Sequence, residues 1–382
     1  MTTSLFDPLT QRSVTLPNRI AVSPMSQYSA NDGFANDWHL VTYGKMAQGG
    51  AGLVMVEMTA VEQSGRSTYG DLGIWHNEHI EPLARIARFV TSLGSVPGIQ
   101  IGHAGRKGSM QRPWEGYGRL SPKEAAKGEL PWQTVAPSAI SFSNDVPAPL
   151  ALDETRIQSI LDHFEASARR AAQAGFKILE VHAAHGYLLH QFLSPLSNLR
   201  DDKWGGTSAR RMEFPLAVLR RVRAAWPNDL PLWLRVSAID GADEGRTIED
   251  TIEFVQAAKA EGVDLVDCSS GGIAGLATSG NRAPPSLGFQ VPFAEAVRHG
   301  ADVPTMAVGL IVTPEQADQI VQSGKADVVA LARELLENPN WPHHAGRMLN
   351  GRSFDAWPPQ FGWWLDKRAI VLDLLASQSS TD

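Results

Sequence analysis

Short apolar runs alternate with longer amphipathic ones along most of the chain, the pattern of strand-then-helix units around a parallel sheet. Eight strand windows stand out: NRIAVSPM (18–25), GLVMVEMTA (52–60), SVPGIQIGHAG (95–105), FKILEVHA (176–183), LPLWLRVSA (230–238), VDLVDCSSGG (263–272), VPTMAVGLI (303–311) and ADVVALARE (326–334). Three of the helices between them can be argued from their ends. After Asp153, the stripe Ile157, Ile160, Leu161, Phe164, Ala168 and Ala171 has helical spacing and stops at Gly175. Thr247 with Asp250 three residues later reads as a capping box ahead of Ile248, Ile252 and Val255, and Gly262 closes the run. Thr313, Pro314 and Gln316 supply an N-cap, a first-turn proline and a capping-box partner before Ile320, Val321 and Gly324.

Eight such units without a break in composition predict an α/β fold in which residues 1–382 form a single (β/α)8 TIM barrel; a doubly wound open sheet is the rival. Residues 108–150, with their Pro, Gly and Trp, are too long for a connector and read as a lid-like insertion after the third strand. Residues 355–382, which include WPPQFGWWLDKR, form a C-terminal tail.

Composition narrows the partners. A formal charge of −7 without a basic block leaves no electrostatic footprint for nucleic acid or anionic lipid, so a small molecule is the expected partner. Cys268 is the single cysteine, which excludes intrachain disulfides and Cys-ligated iron–sulfur clusters and suits a reducing cytoplasm. The start, MTTSLFDPLTQRSV, lacks a basic segment followed by an apolar run, and AGLVMVEMTAV is short and carries Glu57, so neither export nor membrane spanning is expected.

In a barrel, chemistry gathers at the C-terminal ends of the strands. There this chain places Pro24, Met25, Ser26, Gln27 and Tyr28; Thr59 and Ala60; Gln100 leading into His103, Arg106 and Lys107; Arg235 and Ser237; Ser269 to Gly272; Gly309; and Arg333. Glycines after strands six and seven with an arginine after strand eight would let backbone N–H groups and a guanidinium converge on a phosphate, though each alone could serve a turn or a surface ion pair. Strand four ends in EVHAAHGYLLH, where His182 and His185 could be metal ligands, core histidines or substrate clamps. HAAH lacks the acid of an H-E-x-x-H zinc motif. Two imidazoles three residues apart at a strand end can instead donate to one carbonyl oxygen and stabilise charge developing there, with Tyr187 able to give a proton.

The stretches IAVSPMSQYSA, GIQIGHAGRKGS, EVHAAHGYLLHQFLSPLSN and AVGLI resemble the Old Yellow Enzyme family of FMN-dependent ene-reductases. HAGRK, the His-His pair and the short N-terminal strand region are similar to its thermophilic-like subclass, and the likeness runs from about Phe6 to Arg333 and resumes in the tail. The resemblance implies non-covalent FMN across the barrel mouth. Pro24, Met25, Ser26, Ala60, Gln100 and Arg235 would surround the isoalloxazine, Lys107 would be a supporting cation, and Gly272, Gly309 and Arg333 would hold the phosphate. It further implies ping-pong turnover in which NADPH or NADH reduces FMN and leaves. An activated alkene (an enone, a maleimide or a nitro compound) then binds with its oxygen on His182, His185 and Tyr28. Flavin N5 delivers hydride to the β-carbon and Tyr187 protonates the α-carbon. Trp364, with Trp363 as the adjacent candidate, matches a substrate-contacting aromatic of the tail, in some relatives a neighbouring subunit's, and a homodimer or homotetramer is the expected assembly.

The chain also departs from the family. Ser26 stands where the subclass usually has cysteine, so an altered flavin potential with an intact reaction is expected. DDKWGGTSARR carries Trp204 and Arg210 in place of tyrosine and asparagine, and Ala332 replaces a common glycine beside Arg333. The rival functions are a metal-dependent barrel hydrolase using His182, His185 and an acid such as Asp240, and a non-catalytic FMN or phosphate binder. The longer dienoyl-CoA reductase type needs a cysteine cluster that this chain lacks.

Overall fold

The computed structural model describes residues 3–274 and 286–379. Among them, eight parallel strands close into one barrel: β1 (Ile20–Val22), β2 (Leu53–Ala60), β3 (Val96–Gly102), β4 (Ile178–Ala183), β5 (Leu232–Ser237), β6 (Leu265–Ser269), β7 (Thr305–Val308) and β8 (Val328–Leu331). Each strand pairs with its successor, and β8 returns to β1 with Ala330 beside Ala21. The open-sheet rival is thereby excluded. The strands are almost wholly buried because one face fills the barrel and the other packs under helices, which is why they read as continuous apolar runs.

The outer ring comprises α1 (Asp37–Gln48), α2 (Ile80–Ser92), α3 (Glu154–Gln173), α4 (Ser208–Ala225), α5 (Ile248–Ala260), α6 (Val291–Ala301), α7 (Pro314–Gln322) and α8 (Trp341–Asn350). The expected caps form. Asp153 accepts from Arg156 N at 2.8 Å, and Thr247 and Asp250 make both halves of a capping box. Thr313 accepts from Gln316 N, but the Gln316 amide takes Val312 N at 2.9 Å, so the reciprocal half expected there is replaced by a bond one residue upstream. Gly175, Gly262 and Gly324 end these helices with φ of +88°, +93° and +70°, a conformation that costs other residues ~1–2 kcal/mol.

The strands are shorter than the apolar windows. Pro24–Tyr28, Ser270–Gly272 and Gly309–Ile311 leave the ladder to form the barrel mouth, and Arg333 opens a short helix, Arg333–Glu337, rather than ending a strand. The opposite end is closed by an antiparallel hairpin, Leu9–Gln11 with Val14–Leu16, whose Gln11 bonds Trp233 Nε1 at 2.8 Å and whose Arg12 meets Asp264 at 2.8 Å. In the insertion, Val135–Ala136 pairs in parallel with Leu150–Ala151, and Arg112 ties its turns to Glu129 at 2.8 Å. The tail holds a 21-residue helix, α9 (Pro359–Ser379), with Trp363, Trp364, Ile370 and Leu374 exposed. No helix among the described residues is long and apolar enough to cross a membrane.

Candidate active site

At the C-terminal mouth of the barrel lies a cleft of about 230 Å³. Ten residues singled out from the sequence line it together: Pro24, Met25, Ser26, Gln100, His182, His185, Tyr187, Arg235, Gly309 and Arg333. Ser269, placed at the mouth by the sequence without a role, lines it as well, and Met58, Phe289 and Gln290 join them without having been singled out.

The His-Tyr group is built by a strand that stops abruptly. β4 delivers His182 in register beside Arg235 of β5, then the chain turns through His185 (φ +58°) and Gly186 (φ +72°) into the helix Leu188–Leu193. Gly186 is required because a Cβ there would sit 2.1 Å from Gly272 O. The turn is held from all sides. Ser237 Oγ accepts from His185 N at 2.9 Å, His190 Nδ1 accepts from Gly186 N at 2.9 Å, and Gln191 Nε2 donates to Gly186 O at 2.6 Å and Ala104 O at 3.1 Å. Behind it, His190 Nε2 donates to Asp240 at 2.7 Å, and Asp240 also accepts from Ser194 Oγ and Arg246 N. Burial alone would raise the Asp240 carboxyl, but these partners outweigh it and hold it low, while burial lowers His190 against the pull of Asp240. The result is a neutral imidazole bridging a buried carboxylate to the turn.

The three rings stand edge to face: His182 is 5.1 Å from His185 at 76° and 5.1 Å from Tyr187 at 88°. His182 Nδ1 accepts from Ala184 N at 3.3 Å, which leaves the ring proton on Nε2. Burial, with Arg235 and His190 adding to it, drives His182 well below its usual range, so the ring offers this N–H as a neutral donor. His185 Nε2 lies 2.7 Å from Ser269 Oγ, which sits 3.3 Å from Gln290 Oε1; Ser270 donates to that same oxygen at 2.8 Å, and the Gln290 amide continues to Val308 O. Burial, then Tyr117, Tyr28 and Asp71, raises the Tyr187 phenol far above its ordinary range, so it stays protonated.

The opposite wall is set by Glu57, buried behind the Pro24–Tyr28 loop. It accepts Gln27 N at 2.7 Å and Tyr43 OH at 2.9 Å, and burial pushes its carboxyl up to about 8 against those bonds. Five expected residues do not line the cleft. Ala60 is buried at the end of β2, hydrogen-bonded to Leu72 O. Lys107 donates to His185 O at 3.0 Å and to Gly272 O, so both it and Gly272 brace the histidine turn from behind. Tyr28 packs 5.9 Å from Trp114 of the insertion, whose residues 108–150 contribute nothing to the lining. Trp364 is exposed on α9 and absent from the lining of its own chain's cleft.

The cleft's donor set suits a flavin mononucleotide. Met25 and Met58 offer apolar contact and Gln100 and Arg235 a polar edge. At the β7–β8 side, Arg333 is an exposed cation with no ion-pair partner among the described residues, next to Gly309 at φ +119°. The hydrolase constellation is not assembled, since Asp240 is engaged by His190. No group of three His, Cys, Asp or Glu among the described residues could hold a metal.

Residues 4–351 match the NADH:flavin oxidoreductase / NADH oxidase family. The chain is 42% identical to an NADPH dehydrogenase of Geobacillus thermodenitrificans, covering 95% of this chain and 99% of that one. It is 41% identical to an NADPH dehydrogenase of Bacillus subtilis, covering 92% and 96%. Among solved structures, an old yellow enzyme homologue from Zymomonas mobilis superposes with a TM-score of 0.73 at 25% identity, covering 91% of this chain and 93% of that one. Morphinone reductase in complex with tetrahydroNAD has the same fold, with a TM-score of 0.73 at 23% identity and 90% of each chain covered.

Proposed function

Because the chain belongs to the NADH:flavin oxidoreductase / NADH oxidase family, and so is an NAD(P)H-dependent flavin oxidoreductase, we propose that it reduces the activated C=C bond of α,β-unsaturated carbonyl compounds using bound FMN. One observation carries the reading: a neutral imidazole with its proton on Nε2, a second imidazole and a protonated phenol converge in a cleft beside a buried guanidinium. When bound, FMN supplies reversible two-electron hydride chemistry. Pro24, Met25, Ser26, Gln100 and Arg235 would hold its ring system, Gly309 and Arg333 its phosphate, with Ala60, Lys107 and Gly272 supporting from behind. Hydride addition to the β-carbon of an enone builds negative charge on the carbonyl oxygen and basicity on the α-carbon. His182 and His185 stabilise the first as preorganised donors, and Tyr187 protonates the second. Tyr28 adds a substrate contact, residues 108–150 act as the lid through Trp114, and Trp364 serves the mouth of a neighbouring subunit in a homo-oligomer.

The purified cytoplasmic protein is expected to be yellow, to bleach anaerobically with NADPH and to regain colour on adding an enone, a maleimide or a nitro compound. Yellow protein that never bleaches would mark a mere flavin binder, and colourless, zinc-loaded protein would mark a hydrolase.

A further inference from the structure

Directly beneath the cleft, three ionisable side chains from adjacent strands meet inside the barrel. Arg235 of β5 faces the cleft and contacts Asp267 of β6 at 2.9 Å, its register neighbour. Glu180 of β4 lies beside them, and its one donor is Gln100 Nε2 of β3 at 2.7 Å. Both carboxylates are 0% exposed and Arg235 is 6% exposed. Glu180 Oε2 and both Asp267 oxygens have no hydrogen-bond donor among the described residues. One guanidinium therefore stands against two carboxyl groups in a region closed to water.

Such a trio balances its charge with one proton. Asp267, touching Arg235, is its nearest counter-ion although burial raises that carboxyl too, and Glu180, with only a neutral amide on it, is the group whose protonation follows the surrounding charge. Burial first, then the charge of Asp267, raises the affinity of Glu180 for that proton, against the pull of Arg235 and Gln100. Among the described residues, the other titratable groups near the pair are His182, two positions on along β4 and held neutral, and the thiol of Cys268, which follows Asp267 on β6 with its side chain on the other face and which burial and Asp267 keep protonated. An added negative charge in the cleft draws on the same guanidinium, which weakens its hold on Glu180 and favours protonation there.

We propose that Glu180 is a proton-uptake site governed by the charge beside Arg235, so that reduction of the cofactor in the cleft binds a proton from solvent to a Glu180 carboxylate oxygen. The nicotinamide would supply a hydride, which adds one negative charge beside Arg235 in the cleft, and one proton from solvent adds to the carboxylate, so the summed charge of cofactor and trio is unchanged. The inference rests on the flavin reading above. By reciprocity, protonating Glu180 makes the bound cofactor easier to reduce. Glu180 touches neither substrate nor cofactor in this scheme; it is a positioning residue acting through Arg235.

The test is the pH dependence of the holoenzyme's flavin midpoint potential across the neutral-to-alkaline range, compared with Glu180→Gln, which keeps the size and the bond to Gln100. The native enzyme is expected to take up one proton more per two electrons than the variant, and its reduced-minus-oxidised infrared spectrum to gain a protonated-carboxyl band that the variant lacks. Asp267→Asn removes the neighbouring charge and is expected to move the extra uptake to lower pH. Equal proton numbers in native and Glu180→Gln proteins, or an extra proton lost only in His182→Ala, would overturn the proposal while leaving the flavin reading intact. A protein that binds no flavin would overturn both.

Discussion

Asp240 lies far enough behind the cleft to touch nothing that reacts, yet its removal should be felt in turnover. Asp240→Ala strips the acceptor from three donors that the structure places on it, His190 Nε2 at 2.7 Å, Ser194 Oγ at 2.6 Å and Arg246 N at 2.9 Å. Each buried donor left unpaired costs about 1–3 kcal/mol. Three at the low end already reach the ~3–5 kcal/mol typical of breaking a buried charged contact. The loss passes to the His185–Gly186 turn, because the His190 ring anchors Gly186 N only while Asp240 fixes its orientation. A displacement of the paired imidazoles by about 1 Å is enough for roughly a 100-fold loss of rate. Denaturant unfolding and steady-state enone reduction by the folded fraction would read the two effects separately. The variant should unfold at distinctly lower denaturant and show a fall in kcat/KM with its flavin spectrum preserved. The sign with pH is also determined: a carboxyl held low in the native chain stabilises above its unfolded value, and that stability is lost as pH falls through the native one. The deficit of the variant should therefore shrink in acid. An unchanged unfolding midpoint would refute the energetic argument. Lost stability with intact kcat/KM would refute the coupling to the histidine turn.

Three further outcomes are expected. Tyr187→Phe should lower enone turnover about 100- to 10,000-fold while leaving the rate of anaerobic bleaching by NADPH unchanged in stopped flow, since only proton delivery to carbon is removed. Glu57 keeps its proton in the native chain up to about pH 8 but loses it near 4.5 when unfolded, so it draws stability down as pH rises between those values. Thermal melts of Glu57→Gln should therefore fall less over that interval, and parallel curves would count against the assignment. Ser26→Cys should shift the flavin midpoint potential without abolishing enone reduction, and identical potentials would show that the hydroxyl exerts no tuning.

The barrel was legible because both faces of each strand are buried, which turns β2, β4 and β6 into apolar runs short enough to be told from helices. Caps such as Asp153 and Thr247 are local chemistry and were equally readable. The strand ends were not, since leaving the ladder after Ser23 or Ser269 depends on what the mouth loops do rather than on the apolarity of the residues themselves. The cleft was read through residues with conspicuous chemistry. Lys107 shows the limit of that: the resemblance makes it a supporting cation near the flavin, and only the fold shows its ammonium donating to the carbonyls of His185 and Gly272. Gln290 shows the reverse. It follows the end of β6 by 21 residues with no motif around it, and only the fold brings its amide to Ser269, Ser270 and Val308.

The seam between β1 and β8 joins Ile20–Val22 to a partner some three hundred positions downstream, reinforced where Leu5 N reaches Asp318 Oδ1 at 2.8 Å. During synthesis the first strand therefore leaves the ribosome with one edge bare and waits for nearly the whole polypeptide before its mate arrives. Nascent chains stalled before residue 328 should be dependent on chaperones and sensitive to protease near their amino terminus, and that sensitivity should vanish once the last strand emerges.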